Sequence, residues 1–346
     1  MSHLPQPRSG EVRSPSTSTG SPLTAGVQPR ITVVTPSFNQ GRFLEETIRS
    51  VLEQGYPNLE YMVIDGGSMD NSVDIIRQYK DRLAYWTSEP DRGQSEAINK
   101  GWRRATGDIL AYINSDDTYT PNAFRLVAEA FKREPELGLV YGRCLVIDER
   151  GTVLWERRVR AASLAEVLRW SPSIPQPTMF IRRPALEAVG FLNPELHYTM
   201  DYDLSIRVGL KYKIQFIPQV LANMRDHPAA KTAIAPLKHV DEGIAVATAF
   251  FTQPLPTEIA ALKNQTLATL YLRKARVLCR NGETRPARLL VRQALSSCRD
   301  ASTLRKSVAV ISLSLLGRPA IAFLRKIKRA LLKLSTPQRP TRTPTA

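Results

Sequence analysis

Two adjacent carboxylates, Asp116 and Asp117, close the apolar run Ile109-Leu110-Ala111-Tyr112-Ile113-Asn114-Ser115. Such a run, rich in bulky residues, reads as a buried strand. Acids delivered at its C-terminal end fall where α/β sheets bind ligands. Carboxylate oxygens suit Mg²⁺ or Mn²⁺, ions that proteins commonly share with substrate phosphates. The chemistry on offer is a metal–diphosphate site. The plainer alternative is that Ser115, Asp116 and Asp117 cap the next helix or turn. Two more acids follow strand-like runs: Asp65 after Tyr61-Met62-Val63-Ile64, and Asp91 in the loop after 83–86. Parallel strands would bring all three sets to one edge.

The elements needed to hold these acids can be read in order. Residues 31–35 form a strand with a turn-rich exit, Pro36-Ser37-Phe38-Asn39-Gln40-Gly41. Apolar residues at helical spacing run from Phe43 to Leu52 and stop near Gly55 and Pro57. Asp70, Asn71 or Ser72 can cap a second helix, and a third carries Ala97, Ile98, Gly101, Trp102 and Ala105 on one face. After the run that ends at Asp117 come a helix over 121–133, a strand 139–141, a hairpin over 143–157 and a strand 178–181. A helix to 210 and a strand 213–217 close this part. Strand–helix alternation with short connections implies a mostly parallel sheet flanked by helices, an α/β fold.

The chain has 346 residues and a formal charge of +16. Ten Lys and Arg residues follow Asp300 with no Asp or Glu among them. Such a surface suits nucleic acid, anionic lipid or a phosphorylated substrate. Cys144, Cys279 and Cys298 lie far apart without metal spacing, which points to a reducing compartment and no disulfide framework. Residues 1–29 read as a disordered tail without a signal peptide, and no apolar run is long enough to span a bilayer. There is no G-x-G-x-x-G after the first strand, no G-x-x-x-x-G-K-[ST] and no G-x-S-x-G. Dinucleotide, P-loop and serine-hydrolase chemistry are therefore not expected.

Four motifs stand in order: Thr35-Pro36-Ser37-Phe38-Asn39, Val63-Ile64-Asp65-Gly66-Gly67-Ser68, Asn114-Ser115-Asp116-Asp117 and Met200-Asp201-Tyr202-Asp203-Leu204. Together they resemble the family-2 inverting glycosyltransferases with the GT-A fold, over residues 30–230. The resemblance implies transfer of a sugar from a nucleotide-diphosphate donor, UDP-linked as the first expectation, with Mn²⁺ or Mg²⁺ at a D-x-D-like motif. It implies that Pro36, Ser37, Phe38 and Asn39 form the loop at the nucleotide and that Asp65 contacts base or ribose. Many members carry a second acid where this chain has Gly66. Asp91 falls at a donor-contacting loop. Asp117 is the first choice for metal ligation and Asp116 for donor sugar or ribose, with the two open to exchange. His227 matches a position that can complete the metal or diphosphate shell. Asp201 resembles the catalytic base, which must take a proton from the attacking acceptor hydroxyl. Asp203, two residues on, cannot face the same way on a helix and reads as N-terminal charge compensation. Trp170 and the loop 172–177 fall where an acceptor could border.

Past residue 235 the texture turns helical and rich in Ala, Leu and Arg. Helices over 262–280 and 284–298 form a hairpin that has to pack on something to bury its face. Residues 325–334 read as a basic amphipathic helix on an anionic membrane surface, with disorder from 336. The domains expected are a tail 1–29, a catalytic domain 30–235, a helical extension 236–335 and a tail 336–346. The expected setting is cell-surface polysaccharide assembly with a glycan or lipid-linked acceptor. The enzyme would be cytoplasmic or peripheral on the inner face of the membrane, with no nucleic-acid partner. Two rivals stay open: another nucleotide-diphosphate transferase on a similar fold, and a basic nucleic-acid- or membrane-binding protein.

Overall fold

A computed structural model describes residues 28–170 and 174–316. The expectations for the 1–27 part of the first tail, for residues 171–173, for the basic helix 325–334 and for the tail 336–346 lie outside the described residues.

The strands are β1 Ile31–Ser37, β2 Leu59–Asp65, β3 Tyr85–Ser88, β4 Ile109–Tyr112, β5 Thr118–Tyr119, β6 Leu137–Ile147, β7 Val153–Glu156, β8 Phe180–Arg182 and β9 Lys213–Arg225. They form one sheet in the order β3-β2-β1-β4-β8-β6-β9-β5, with β7 paired antiparallel to the later part of β6, at Leu145 to Ile147. From β3 to β4 every pairing is parallel, as expected from the alternation. Beyond β4 the sheet is mixed: β8 runs antiparallel to β4 and β6, and β9 parallel to β6. The reversal begins at β8, where the chain returns to the sheet beside β4.

Alternate residues of the parallel strands enter two separate cores, as the period of two requires. Val34, Met62, Ile64, Leu110 and Tyr112 face one side. Ile31, Val33, Tyr61, Val63, Ile109 and Ala111 face the other. Helices cover both faces. Gly41–Leu52 buries Phe43, Leu44, Thr47, Ile48 and Val51, and Gln94–Arg104 buries Ala97, Ile98 and Trp102. Gly101 lets that second helix approach β1, because a Cβ there would sit 2.6 Å from a Val34 methyl. Trp102 is fully buried and donates Nε1–H to the Ala111 carbonyl at 3.2 Å. Truncating a side chain of that size in such a core costs about 3–5 kcal/mol.

The helices after residue 235 share the first of these cores. Val246, Ala247, Phe250 and Phe251, in and just after Pro236–Phe250, and Leu270 of Lys263–Asn281, pack with Tyr202 and Leu204. The expected hairpin is present as Lys263–Asn281 and Thr284–Ser297, with Gly282 left-handed at φ 84° between them. A third core joins that pair to Ala301–Leu315. Trp170 is a keystone of this junction. It stacks on Tyr202 with centroids 4.9 Å apart, meets His239 edge-on, and lies under the Arg273 guanidinium. A Cβ on Gly243 would come within 2.6 Å of its ring. Trp170 is therefore committed to packing and is not open to an acceptor.

Candidate functional site

The loops after β1 and β2 are laced together. Gly66 N–H donates to the Ser37 carbonyl, Asn39 N–H to Ser68 Oγ and Met69 N–H to Asn39 Oδ1, all within 2.9 Å. Asp70 accepts from Gly41 N–H. Asn39 sits at φ 51°, a conformation Asn tolerates better than most residues. Pro36 and Ser37 belong to the buried end of β1, and the Ser37 hydroxyl is buried without a protein partner. Phe38 projects from the loop and is 60 % exposed.

Asp65 is fully buried, and both its oxygens are used by its own loops. It accepts from Gly67 N–H at 3.1 Å, Ser68 N–H at 2.8 Å, Ser68 Oγ at 2.6 Å and Ser88 Oγ at 2.7 Å. Its carboxylate shapes this edge. Asp91 accepts from Gly93 N–H at 2.7 Å. A Cβ on Gly66 would lie 2.8 Å from the other Asp91 oxygen. The space where a side chain at 66 would begin is thus taken by Asp91. Burial raises the Asp91 carboxyl above its usual range, and Glu96 and Asp65 push the same way.

Asp116 and Asp117 part company. Asp116 Oδ2 lies 3.0 Å from His227 Nε2. Asp117 turns inward and accepts the Arg225 backbone N–H at 2.9 Å, with only 3 % of the residue exposed. Burial, then the neighbouring Asp116, holds the Asp117 carboxyl well above the ordinary carboxylate range, against the pull of that N–H. Arg225 braces the corner. Its guanidinium donates to the carbonyls of Asp116 and Asp148 and to Glu46, and it lies over the Phe43 ring. That same ring is 5.1 Å from His227.

Asp201 stands in the first turn of Met200–Lys211, half-buried, with Oδ1 on the Tyr202 N–H. Burial raises its carboxyl to about 6. Asp203 is taken up by Arg207, which also holds the carbonyls of Val189, Gly190 and Phe191. The loop before Asp201 is gripped by Glu242 from Pro236–Phe250. That carboxylate accepts from the N–H groups of His197, Tyr198 and Thr199 and from the Thr199 hydroxyl, at 2.6–2.9 Å. Burial opposes its charge, but these bonds prevail and hold it below the usual range. Lys231 bridges the loops, donating to Gln94 Oε1 at 2.9 Å and the His197 carbonyl at 3.4 Å. Gln94 in turn donates to Asn114. Burial lowers the Lys231 ammonium, while Glu242, Asp91 and Asp116 all favour its charge, so three elements carry acids toward one cation.

Gln94, Arg225, Lys231 and Glu242 escape a motif reading. Arg225 and Lys231 flank His227 in a stretch where only the histidine carries a signal. Glu242 lies on a helix outside the four motifs.

The family model described as "Glycosyl transferase family 2" matches residues 32–190. The chain carries a family-2 glycosyltransferase domain. An uncharacterised glycosyltransferase of Rickettsia typhi is 26 % identical over 245 residues, 69 % of this chain and 76 % of that protein. Staphylococcus aureus TarS, solved with UDP-GlcNAc, superposes with a TM-score of 0.58 at 14 % identity, covering 86 % of this chain and 92 % of that one. A mannosyltransferase from Pyrobaculum calidifontis, solved with GDP-Man and Mn²⁺, gives 0.58 at 21 % identity over 90 % of this chain and 88 % of its own. The protein is thus a glycosyltransferase with the GT-A fold, and its C-terminal helices sit on that fold.

Proposed function

We propose that this glycosyltransferase moves a sugar, with inversion, from a nucleoside-diphosphate sugar to a hydroxyl of a glycan or lipid-linked acceptor in polysaccharide assembly. The pairing of Asp116 with His227 at the edge where β1, β2 and β4 end carries the reading. A carboxylate beside an imidazole fits a divalent ion, Mn²⁺ more readily than Mg²⁺. Among the described residues no cluster of three or more His, Cys, Asp or Glu surrounds it. Two protein donors without a full cage match an ion shared with a diphosphate and water. Asp116 and His227 would hold it, and when bound it offsets charge on the departing diphosphate. Asp117, set ahead of Asp116 by sequence, is assigned instead to bracing the Arg225 backbone, because its carboxylate is buried and bonded there.

Asp201 acts as the base in this reading. With its carboxyl near 6 it is mostly ionised at neutral pH, yet basic enough to take the acceptor proton. Lys231 supplies positive charge toward the diphosphate from the opposite loop. Phe38 offers an exposed ring to the nucleobase, while Ser37, Asn39 and Asp65 shape the loop beneath it. UDP is the first donor nucleotide to try.

A thermal-shift panel of nucleoside diphosphates with and without Mn²⁺ tests the proposal, since a ligand of the folded state raises the melting temperature by mass action. A Mn²⁺-dependent rise with one nucleotide is expected. Folded protein that responds to none of them defeats the reading.

A further inference from the structure

The helix Ala301–Leu315 packs small, mostly polar residues inward and leaves most of its large apolar ones in water. Its inward stripe is Thr303, Ser307, Val310 and Ser314, each at most 5 % exposed. The stripe one residue on is Leu304, Val308, Ile311 and Leu315, each between 41 % and 73 % exposed. At 3.6 residues per turn this second stripe lies about 100° around the helix from the first. The usual arrangement turns the aliphatic stripe to the core. Here the Ser307 hydroxyl is even buried without a partner while four aliphatic side chains face solvent. Leu289, on the preceding helix, is 63 % exposed as well.

Charge decides what can cover this stripe. Residues 284–316 carry Arg285, Arg288, Arg292, Arg299, Arg305 and Lys306 against one acid, Asp300. That acid is already spent on capping the Thr303 N–H and on Gln265. A second copy of the same face would bring like charges together. The remaining segment of this chain, 317–346, adds eight Lys or Arg and no acid, so it too is repelled. An apolar stripe in a basic field matches an anionic lipid surface. No helix among the described residues is long and apolar enough to cross a membrane, so the helix would lie in the interface plane.

We infer that the exposed stripe Leu304, Val308, Ile311 and Leu315, in this basic stretch of chain, docks the enzyme on an anionic bilayer. This surface uses none of the candidate-site residues and does not depend on the chemistry proposed for them.

The test uses the full chain and phosphatidylcholine vesicles with or without phosphatidylglycerol. Wild-type protein is expected to co-sediment with the anionic vesicles only, and less as salt rises. The combined variant Leu304→Gln, Val308→Gln, Ile311→Gln and Leu315→Gln should lose about tenfold or more of that partitioning, with circular dichroism unchanged. Leu315→Gln alone, at the most exposed position of the stripe, should lose a measurable part and serves if the combined variant misfolds. Partitioning by wild type that ignores lipid charge, or by both variants that equals wild type, overturns the inference. So does a wild-type dimer in sedimentation velocity that the variants convert to monomer without change in vesicle binding, which would give the face to a second copy.

Discussion

The two sides of the proposed site, donor and base, are held by different means. On the donor side, the loops after β1 and β2 lock to each other, and Asp65 spends its carboxylate on Gly67 and Ser68 of the second loop and on Ser88 of β3. On the base side, the loop before Asp201 has its successive N–H groups held by Glu242, more than 40 residues further along. A donor loop built from its own neighbours can keep its shape whatever follows in the chain. The base loop depends on a helix beyond the four motifs. The extension therefore holds the loop that carries the proposed base, as well as covering the core.

The largest expected effect lies on the base side. Asp201→Asn should lower transfer about 10²- to 10⁴-fold while nucleotide binding, followed by thermal shift, stays near wild type. A transfer rate that does not change would remove Asp201 from the mechanism. The pH profile of wild-type kcat/KM should rise through an acid limb near 6 as the raised carboxyl loses its proton. The same shift has a stability consequence. The folded chain holds this proton more tightly than the unfolded chain does, so the stabilisation is complete below about pH 4. It is lost as pH rises through about 6. Melting temperatures of Asp201→Asn against wild type should show that slope flattened.

Next comes the pair at the metal corner. Asp116→Asn should abolish the Mn²⁺-dependent part of the nucleotide thermal shift, and His227→Ala should weaken it. Asp117→Asn should keep the Mn²⁺ dependence, because its oxygen serves the Arg225 N–H. If Asp117→Asn loses the metal response and Asp116→Asn keeps it, the two assignments exchange.

The contrast between the sides is sharpened by Glu242→Gln. Replacing a charged acceptor of several bonds by a neutral amide weakens each of them. Turnover should fall about tenfold, roughly 1.4 kcal/mol in barrier, with little change in donor affinity. Removing the Glu242 charge, which adds to the raised carboxyl of Asp201, should also move the acid limb downward. A purely structural role would lower the melting temperature and leave the limb where it was. Glu242→Asp should restore part of the turnover.

This division explains what could be read in advance. Ile31 to Asp117 announces its strands because buried parallel strands must be apolar on both faces, and the acids at their ends mark the edge. The four motifs single out Asp65, Asp116 and Asp201 as candidates because each lies in a local strand-to-loop or loop-to-helix signature. The order of Asp116 and Asp117 was not legible. Adjacent residues at a turn point different ways, and only the Arg225 backbone, 108 residues away, shows which one is taken up. The antiparallel return at β8 was hidden too, because three residues carry no period that fixes direction. Glu242 and Lys231 are single charged residues whose partners come from other loops.

The smallest effect separates contact from scaffolding on the donor side. Phe38 is the one residue of the Pro36-Ser37-Phe38-Asn39 motif whose side chain projects freely, at 60 % exposure. If its ring meets the nucleobase, Phe38→Ala removes an aromatic contact worth about 0.5–1.5 kcal/mol, a loss of a few-fold to about tenfold in nucleotide affinity. The melting temperature of the free protein should hardly move, since little is buried there. Asn39→Ala is the counterpart: it deletes the bond to Met69 N–H and places Ala at a left-handed φ, so stability should fall along with affinity. Titration of nucleoside diphosphate against both variants distinguishes them. Should Phe38→Ala bind as wild type does, the nucleobase lies elsewhere, and the lacing between Asn39, Ser68 and Met69 serves only to build the edge.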